Sequence, residues 1–165
     1  MNAQHCQKLC KVDIKSCRSL KKLFPASIAR NLFQLKDLNV ETCGIEEIVA
    51  MEGAEDAAAM TFVFPQLTSL TLVDLQELKC FYPGIHGAED AAAMTFVFPQ
   101  LTCLKLQDVQ KRKCFYPGIH TIKWPVLKEL KLIGCDKIDQ LFAFQKNIPE
   151  DQLDILVRHV SHFFF

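Results

Sequence analysis

The sequence contains none of the short motifs that mark nucleotide sites, serine hydrolases or zinc proteases. No GxxxxGK[ST], GxGxxG, GxSxG or HExxH segment occurs in its 165 residues, and each pattern supplies groups that its chemistry requires. Eight cysteines are present, but none form a C-x-x-C pair, and the spacing of Cys6, Cys10 and Cys17 fits no common zinc site. The sequence therefore predicts no catalytic residues, no metal site and no bound cofactor.

The chain also lacks net charge and long apolar runs. Lys plus Arg number 19 and Asp plus Glu also number 19, which removes the bulk attraction on which general nucleic-acid binding depends. No stretch reaches the ~18 apolar residues that a transmembrane helix needs, and the N-terminus shows no secretory signal. We therefore expect a cytoplasmic protein with no membrane span and no nucleic-acid partner.

A block of 34 residues occurs twice in tandem. Residues 53–86 and 87–120 are identical at 28 of 34 positions, and all six differences fall between residues 69 and 78 of the first copy. Identity this high indicates a recent tandem duplication, because packing alone tolerates many substitutions. Internal repeats of this length are typical of stacked-repeat architectures.

A shorter pattern, L-x-x-L-x-L-x-x-N/C or a close variant, recurs five times, and this spacing is the leucine-rich-repeat signature. The five starts are Leu9, Leu35, Leu67, Leu101 and Leu127. Its central x-L-x-L-x alternation is that of a strand with one buried face, which stacked copies can bury together. The predicted fold class is therefore α/β: a leucine-rich-repeat solenoid of about five repeats, with a curved parallel sheet on the concave side and short helices or loops on the convex side.

The predicted organisation has three parts. Residues 1–8 form a lead-in, residues 9–144 hold the repeats, and residues 145–165 form a tail that does not continue the pattern. Within the tail, residues 149–160 begin as a helix does, with a proline and two acids in the first turn, and could cap the solenoid. A truncated gene or an altered reading frame is the alternative origin of this tail.

Two local features are predicted inside the repeats. Residues 25–35 are interpreted as a short convex-side helix with Pro25 in its first turn. Three aromatic residues that each precede a proline, at the entry to a strand, are predicted to fill the core between repeats. They are Phe64, Phe98 and Trp124.

The cysteines are interpreted as structural. Cys17, Cys43 and Cys135 stand at the N/C position of the repeat, where a small buried side chain is expected and a free cysteine serves well. Cys80 with His86 is copied in the second block as Cys114 with His120, and a Cys-x5-His pair could form a thiol nucleophile activated by imidazole. The absence of a third orienting group nearby in the sequence argues against catalysis.

Beyond the generic repeat, three segments are similar to the C-terminal repeats of plant coiled-coil NB-ARC leucine-rich-repeat disease-resistance receptors. They are SLKKLFPASIARNLFQLKDLNVETCGIEEIVA (residues 19–50), FVFPQLTSLTLVDLQELKCFYPGIH (residues 62–86) and WPVLKELKLIGCDKIDQL (residues 124–141). In such receptors the repeat region resembles a sensor and a brake that folds back on the nucleotide-binding module. The family's P-loop site is absent from this sequence, so no nucleotide cofactor is carried over.

The resemblance implies a non-catalytic protein-recognition module connected with plant defence. Its partner would be a pathogen effector, a guarded host protein or an NB-ARC module. One alternative is a truncated, non-functional or purely structural fragment of a receptor gene. An enzyme, or a repeat-type adaptor of the ubiquitin system, is a third reading.

The candidate partner-binding residues are the x positions of the strand segments, which alternate with core-facing positions and are expected on the concave side. They are Lys11, Asp13, Lys15, Asp37, Asn39, Glu41, Ser69, Thr71, Val73, Cys103, Lys105, Gln107, Glu129, Lys131 and Ile133. The duplicated blocks differ at all three such positions, whereas the core leucines between them are unchanged. Divergence of a recognition surface and relaxed constraint on a solvent face both predict this pattern.

Overall fold

The computed structural model describes residues 8–52, 61–82, 94–109 and 120–134. These residues contain parallel strands in three sheets and one short helix, α1 (Ala26–Ala29). The strands are β1 (Lys11–Lys15), β2 (Lys22–Pro25), β3 (Asp37–Glu41), β4 (Glu47–Ala50), β5 (Thr61–Val63), β6 (Ser69–Val73), β7 (Met94–Val97), β8 (Cys103–Gln107), β9 (His120–Lys123) and β10 (Glu129–Ile133).

The largest sheet has five strands in the order β1-β3-β6-β8-β10, and all its pairings are parallel. In β3, β6 and β8 the second and fourth residues are buried and the other three are half-buried. This period of two is what alternating side chains on a strand with one buried face produce. The parallel sheet expected from the repeated x-L-x-L-x pattern is therefore confirmed.

The residue that follows each of these five strands has a left-handed backbone conformation. Their φ angles are 57° at Ser16, 52° at Thr42, 50° at Asp74, 49° at Asp108 and 64° at Gly134. The backbone N–H of each of the first four donates to the last carbonyl of the next strand, at 2.8 to 2.9 Å. These hydrogen bonds offset part of the cost of a positive φ in residues other than glycine, and the chain leaves the sheet at the same point in every unit.

Two smaller parallel sheets complete the described structure. One pairs β2 with β4, and the other has the order β5-β7-β9. The sequence pattern did not predict them. Strands of three or four residues carry too short a hydrophobic pattern to be recognised alone, and they form because stacking brings equivalent segments side by side.

The core lies between the five-stranded sheet and these smaller sheets, and aromatic rings fill much of it. Phe64, Phe98 and Trp124 are all buried, at 1%, 1% and 5% exposure, as their positions before proline predicted. Phe62 and Phe96 of the paired strands β5 and β7 are also buried and stack with their ring centroids 5.9 Å apart. Equivalent residues of successive units thus pack on one another.

The helix predicted over residues 25–35 was wrong in extent. Pro25 is the last residue of β2, and α1 ends at Ala29. The chain then turns so that Leu32 and Leu35 are fully buried, with the Leu35 N–H donating to the Leu32 carbonyl at 3.4 Å. Leu32 occupies the core position that Phe64 has in the next unit. The helix ends here because the Asn31 N–H donates to the Ile28 carbonyl, three residues back rather than four.

The prediction that the N/C-position cysteines are buried was right for Cys43 and wrong for Cys17. Cys43 is buried, whereas Cys17 is exposed. The turn after β1 has a neighbour on one side only within the described sheet, because β1 is the end strand. Several other predictions concern residues that lie wholly or partly outside the described part of the chain. They are those for Cys135, for the Cys80–His86 and Cys114–His120 pairs, for the lead-in and for the tail from residue 145.

Candidate protein-binding face

The fifteen candidate residues lie on one face of the five-stranded sheet. Parallel pairing in a constant register aligns them in three rows across the five strands. The first row is Lys11, Asp37, Ser69, Cys103 and Glu129, the second is Asp13, Asn39, Thr71, Lys105 and Lys131, and the third is Lys15, Glu41, Val73, Gln107 and Ile133. We call this set the outward face. Its side chains are exposed or half-buried, and they alternate along each strand with core residues.

The β1–β3 end of the outward face carries a network of opposite charges. Lys15 Nζ lies 3.2 Å from Glu41 Oε2, and the Asn39 amide donates from Nδ2 to Glu41 Oε1 at 2.8 Å and to Asp13 Oδ1 at 3.1 Å. The hydrogen bond from Asn39, followed by that from Lys15, lowers the pKa of Glu41 from its ordinary value. The carboxylate therefore stays ionised and is held in a defined position.

The β8–β10 end is built around Glu129. Lys131 Nζ lies 2.7 Å from Glu129 Oε1, and the Cys103 thiol donates to Glu129 Oε2 at 3.3 Å. Glu129 raises the pKa of Lys131, while desolvation, followed by the hydrogen bond to Glu129, raises the pKa of the Cys103 thiol. Near neutral pH this end therefore presents a charged lysine and a neutral thiol.

Strand β6, between these two ends, contributes no formal charge to the outward face. Its outward residues are Ser69, Thr71 and Val73. In register with them on β8 stand Cys103, Lys105 and Gln107. Three of the six differences between the duplicated blocks are therefore direct neighbours in space. The substitutions between the copies thus change polarity and charge along one strand of the face.

A polar edge that the sequence reasoning missed runs beside the outward face, at the ends of β6 and β8. The Gln76 amide donates from Nε2 to Asp74 Oδ1 at 2.9 Å and to the carbonyl of Asp108 at 3.2 Å. Asp74 and Asp108 are the left-handed residues after these strands. The sequence does contain a signal for this edge, because both copies of the block retain an aspartate directly after the strand.

The described residues contain no group of three or more His, Cys, Asp or Glu side chains that could hold a metal ion. In the same part of the chain, no helix is long and apolar enough to cross a membrane. The outward face is instead an open array of hydrogen-bonding and charged groups on a regular sheet. Such an array suits contact with another protein surface.

A family model described as plant disease resistance protein RPS2-like, leucine-rich repeats, matches residues 2–44. This match confirms the resemblance to resistance-protein repeats for the part of the chain that holds β1, β2, α1 and β3. Leucine-rich repeats generally serve as protein-interaction modules without catalytic activity. No curated protein and no solved structure matches the chain.

Proposed function

We propose that the chain is a non-catalytic protein-recognition module: a leucine-rich-repeat solenoid of about five repeats, similar to the sensor and autoinhibitory part of a plant intracellular immune receptor. It acts in the cytoplasm, needs no cofactor and binds a protein. A pathogen effector, a guarded host protein and an NB-ARC module are the partners that the resemblance suggests. The partner contacts the outward face.

One observation carries this proposal, namely the way in which the two copies of the block differ. Leu70 and Leu72 are retained as Leu104 and Leu106, and all four side chains are buried. Every outward residue of the same two strands has changed. A surface under selection for different contacts would diverge in this way while the buried leucines of the strands that carry it stay constant.

The shape of the outward face supports a protein partner. Five strands about 4.8 Å apart and three rows about 6.6 Å apart give a platform roughly 20 Å by 13 Å. Standard interfaces bury about 800 Å² on each partner, so a protein on this platform would also reach the polar edge formed by Asp74, Gln76 and Asp108. Charged groups at both ends of the platform would fix the partner's orientation.

The test uses a defined probe, the NB-ARC module of a plant coiled-coil resistance receptor, co-expressed with the chain and recovered by immunoprecipitation. The variant Thr71→Lys with Val73→Gln gives the first copy two of the three outward residues that the second copy already has. We expect it to weaken association at least about tenfold, equivalent to about 1.4 kcal/mol. Its melting temperature should stay close to that of the unchanged chain.

The chain offers a matched control for this experiment. Thr61→Lys with Val63→Gln makes the same two chemical changes on β5, where both residues are exposed and lie outside the outward face. This control should bind like the unchanged chain. Equal weakening by both double variants, or a loss of binding that parallels a loss of folding, would count against the outward face as the contact surface.

A further inference from the structure

Two cysteines at equivalent positions of adjacent units lie side by side at the edge of the five-stranded sheet. The β1–β3 register pairs residues 26 apart, from Lys11 with Asp37 to Lys15 with Glu41. Cys17 and Cys43 have the same separation and each follows the left-handed residue after its strand. They are therefore the corresponding residues of two neighbouring turns.

Backbone hydrogen bonds on both sides hold the two turns together. The Ser16 N–H donates to the Glu41 carbonyl at 2.9 Å, and the Gly44 N–H donates to the Cys17 carbonyl at 3.1 Å. Between them, the Cys17 N–H donates to the Cys43 sulfur at 3.3 Å. Neighbouring strands lie about 4.8 Å apart, which is within the Cα separation of roughly 4.4–6.8 Å that a disulfide accepts.

The two thiols differ in accessibility. Cys17 is exposed, and its thiol donates to the carbonyl of Lys15 at 3.5 Å. Cys43 is buried, and its thiol donates to the carbonyl of Glu41 at 3.2 Å. Burial raises the pKa of the Cys43 thiol, and the neighbouring Cys17 thiol also contributes to that rise. A small oxidant therefore reaches the Cys17 thiol first, and the Cys43 thiol lies next to it.

We propose that Cys17 and Cys43 form a peroxide-sensitive thiol pair, in which Cys17 is oxidised and Cys43 resolves the product to a disulfide. In the first step hydrogen peroxide converts the Cys17 thiol to a sulfenic acid and is reduced to one water. In the second step the sulfur of Cys43 attacks the Cys17 sulfur, the S–O bond breaks, and the hydroxide leaves with the Cys43 proton as a second water. The two thiols together lose two electrons to the peroxide.

The disulfide would be a covalent cross-link between the turns that follow β1 and β3. A disulfide removes conformational freedom from the unfolded chain, here by closing the loop between residues 17 and 43. Oxidation would thus stabilise the part of the chain that carries the charged β1–β3 end of the outward face. The proposal stands independently of which partner the chain binds.

The experiment treats the reduced full-length chain with hydrogen peroxide, blocks the remaining thiols and digests with trypsin. Cleavage leaves Cys17 in residues 16–18 and Cys43 in residues 37–79, each as the single cysteine of its peptide. We expect these two peptides to be joined, with a mass two hydrogens below their sum, and to separate again with dithiothreitol. The melting temperature of the oxidised chain should rise and return on reduction.

Two exposed cysteines on the same unit provide the controls. Cys17→Ala removes an exposed side chain, so it should fold normally and lose both the cross-link and the rise in melting temperature. Cys10→Ala removes another exposed thiol, at the opposite end of β1, and should keep both the cross-link and the rise in melting temperature. Recovery of Cys17 as a sulfinic acid with Cys43 still reduced would overturn the proposal, as would a cross-link from Cys10 to Cys43 as abundant as that from Cys17.

Discussion

Phe64 and Phe98, the same residue in the two copies of the duplicated block, stack on each other with ring centroids 5.3 Å apart and ring planes only 10° apart. Phe81 contacts both rings edge-on, at 6.1 Å and 6.3 Å. This aromatic position therefore fills the core of its own copy and also packs against the equivalent residue of the other copy. Aromatic pairs of this kind contribute beyond the area they bury.

We expect Phe98→Ala to lower the free energy of unfolding by about 3–5 kcal/mol, because it leaves a cavity between two stacked units. The measurement is urea unfolding followed by circular dichroism. The adjacent half-buried Val97 provides the control, and Val97→Ala should cost less than about 1 kcal/mol. A similar cost for both variants would mean that the stacked rings are not a central part of the core.

Gly44 lies where no side chain fits. A Cβ built on it would come within 2.0 Å of the Arg18 carbonyl oxygen, which is backbone and cannot swing away. We expect Gly44→Ala to lower the free energy of unfolding by about 2–3 kcal/mol through this overlap. Ser69→Ala on the outward face should change the same unfolding curve by less than about 0.5 kcal/mol, and an equally mild effect at Gly44 would contradict the close approach of the two turns.

Glu46 links three successive units on the side of the chain away from the outward face. Its carboxylate pairs with Lys79 and, at 3.3 Å, with Lys21. The hydrogen bond from Lys79, followed by that from Lys21, lowers the pKa of Glu46 below its usual value of 4.5. Because the folded-state pKa is the lower one, the stability that Glu46 contributes is present above pH 4.5 and is lost as the pH falls through the folded-state pKa.

Glu46→Gln should therefore lower the urea midpoint at about pH 7 and lower it by less as the pH falls towards about 3. It should also reduce the acid dependence of stability between these two values. Glu77→Gln removes an exposed carboxylate from the same region and is the matched control. An acid dependence that is unchanged in Glu46→Gln would show that the ion pairs of Glu46 contribute nothing to folding.

The duplicated block should be removable as a unit. Deleting residues 87–120 joins His86 to Thr121, which recreates the natural junction of His120 with Thr121. Since the buried strand leucines and the phenylalanines that precede them are the same residue types in the two copies, β6 should then pair with β10. We expect a folded chain whose cooperative melting transition lies at a lower temperature, because one interface between units is lost.

A deletion of half a block is the control for this experiment. Removing residues 87–103 joins His86 to Leu104 and omits the phenylalanines that precede β8. This chain should lose its cooperative melting transition and elute as an expanded or aggregated species. If both shortened chains behaved alike, the block would not be an independent packing unit.

The sequence by itself determined the five-stranded sheet and the placement of the candidate residues. The alternation around Leu70 and Leu72 can bury only one face of a strand, and its recurrence after Leu35, Leu101 and Leu127 predicts stacking in register. All fifteen candidate positions share a face for that reason alone. Their role in partner binding stays a prediction.

The tertiary structure decided what depends on the neighbouring unit. The strands of the two smaller sheets are too short to have a recognisable pattern, and α1 ends after four residues. The sequence also does not show that the Asn39 amide donates to the Glu41 carboxylate. Cys17 and Cys43 occupy one position of the repeat, yet one is exposed and the other buried. Periodicity specifies which residues are equivalent, but burial, pairing and charge follow from what each unit packs against.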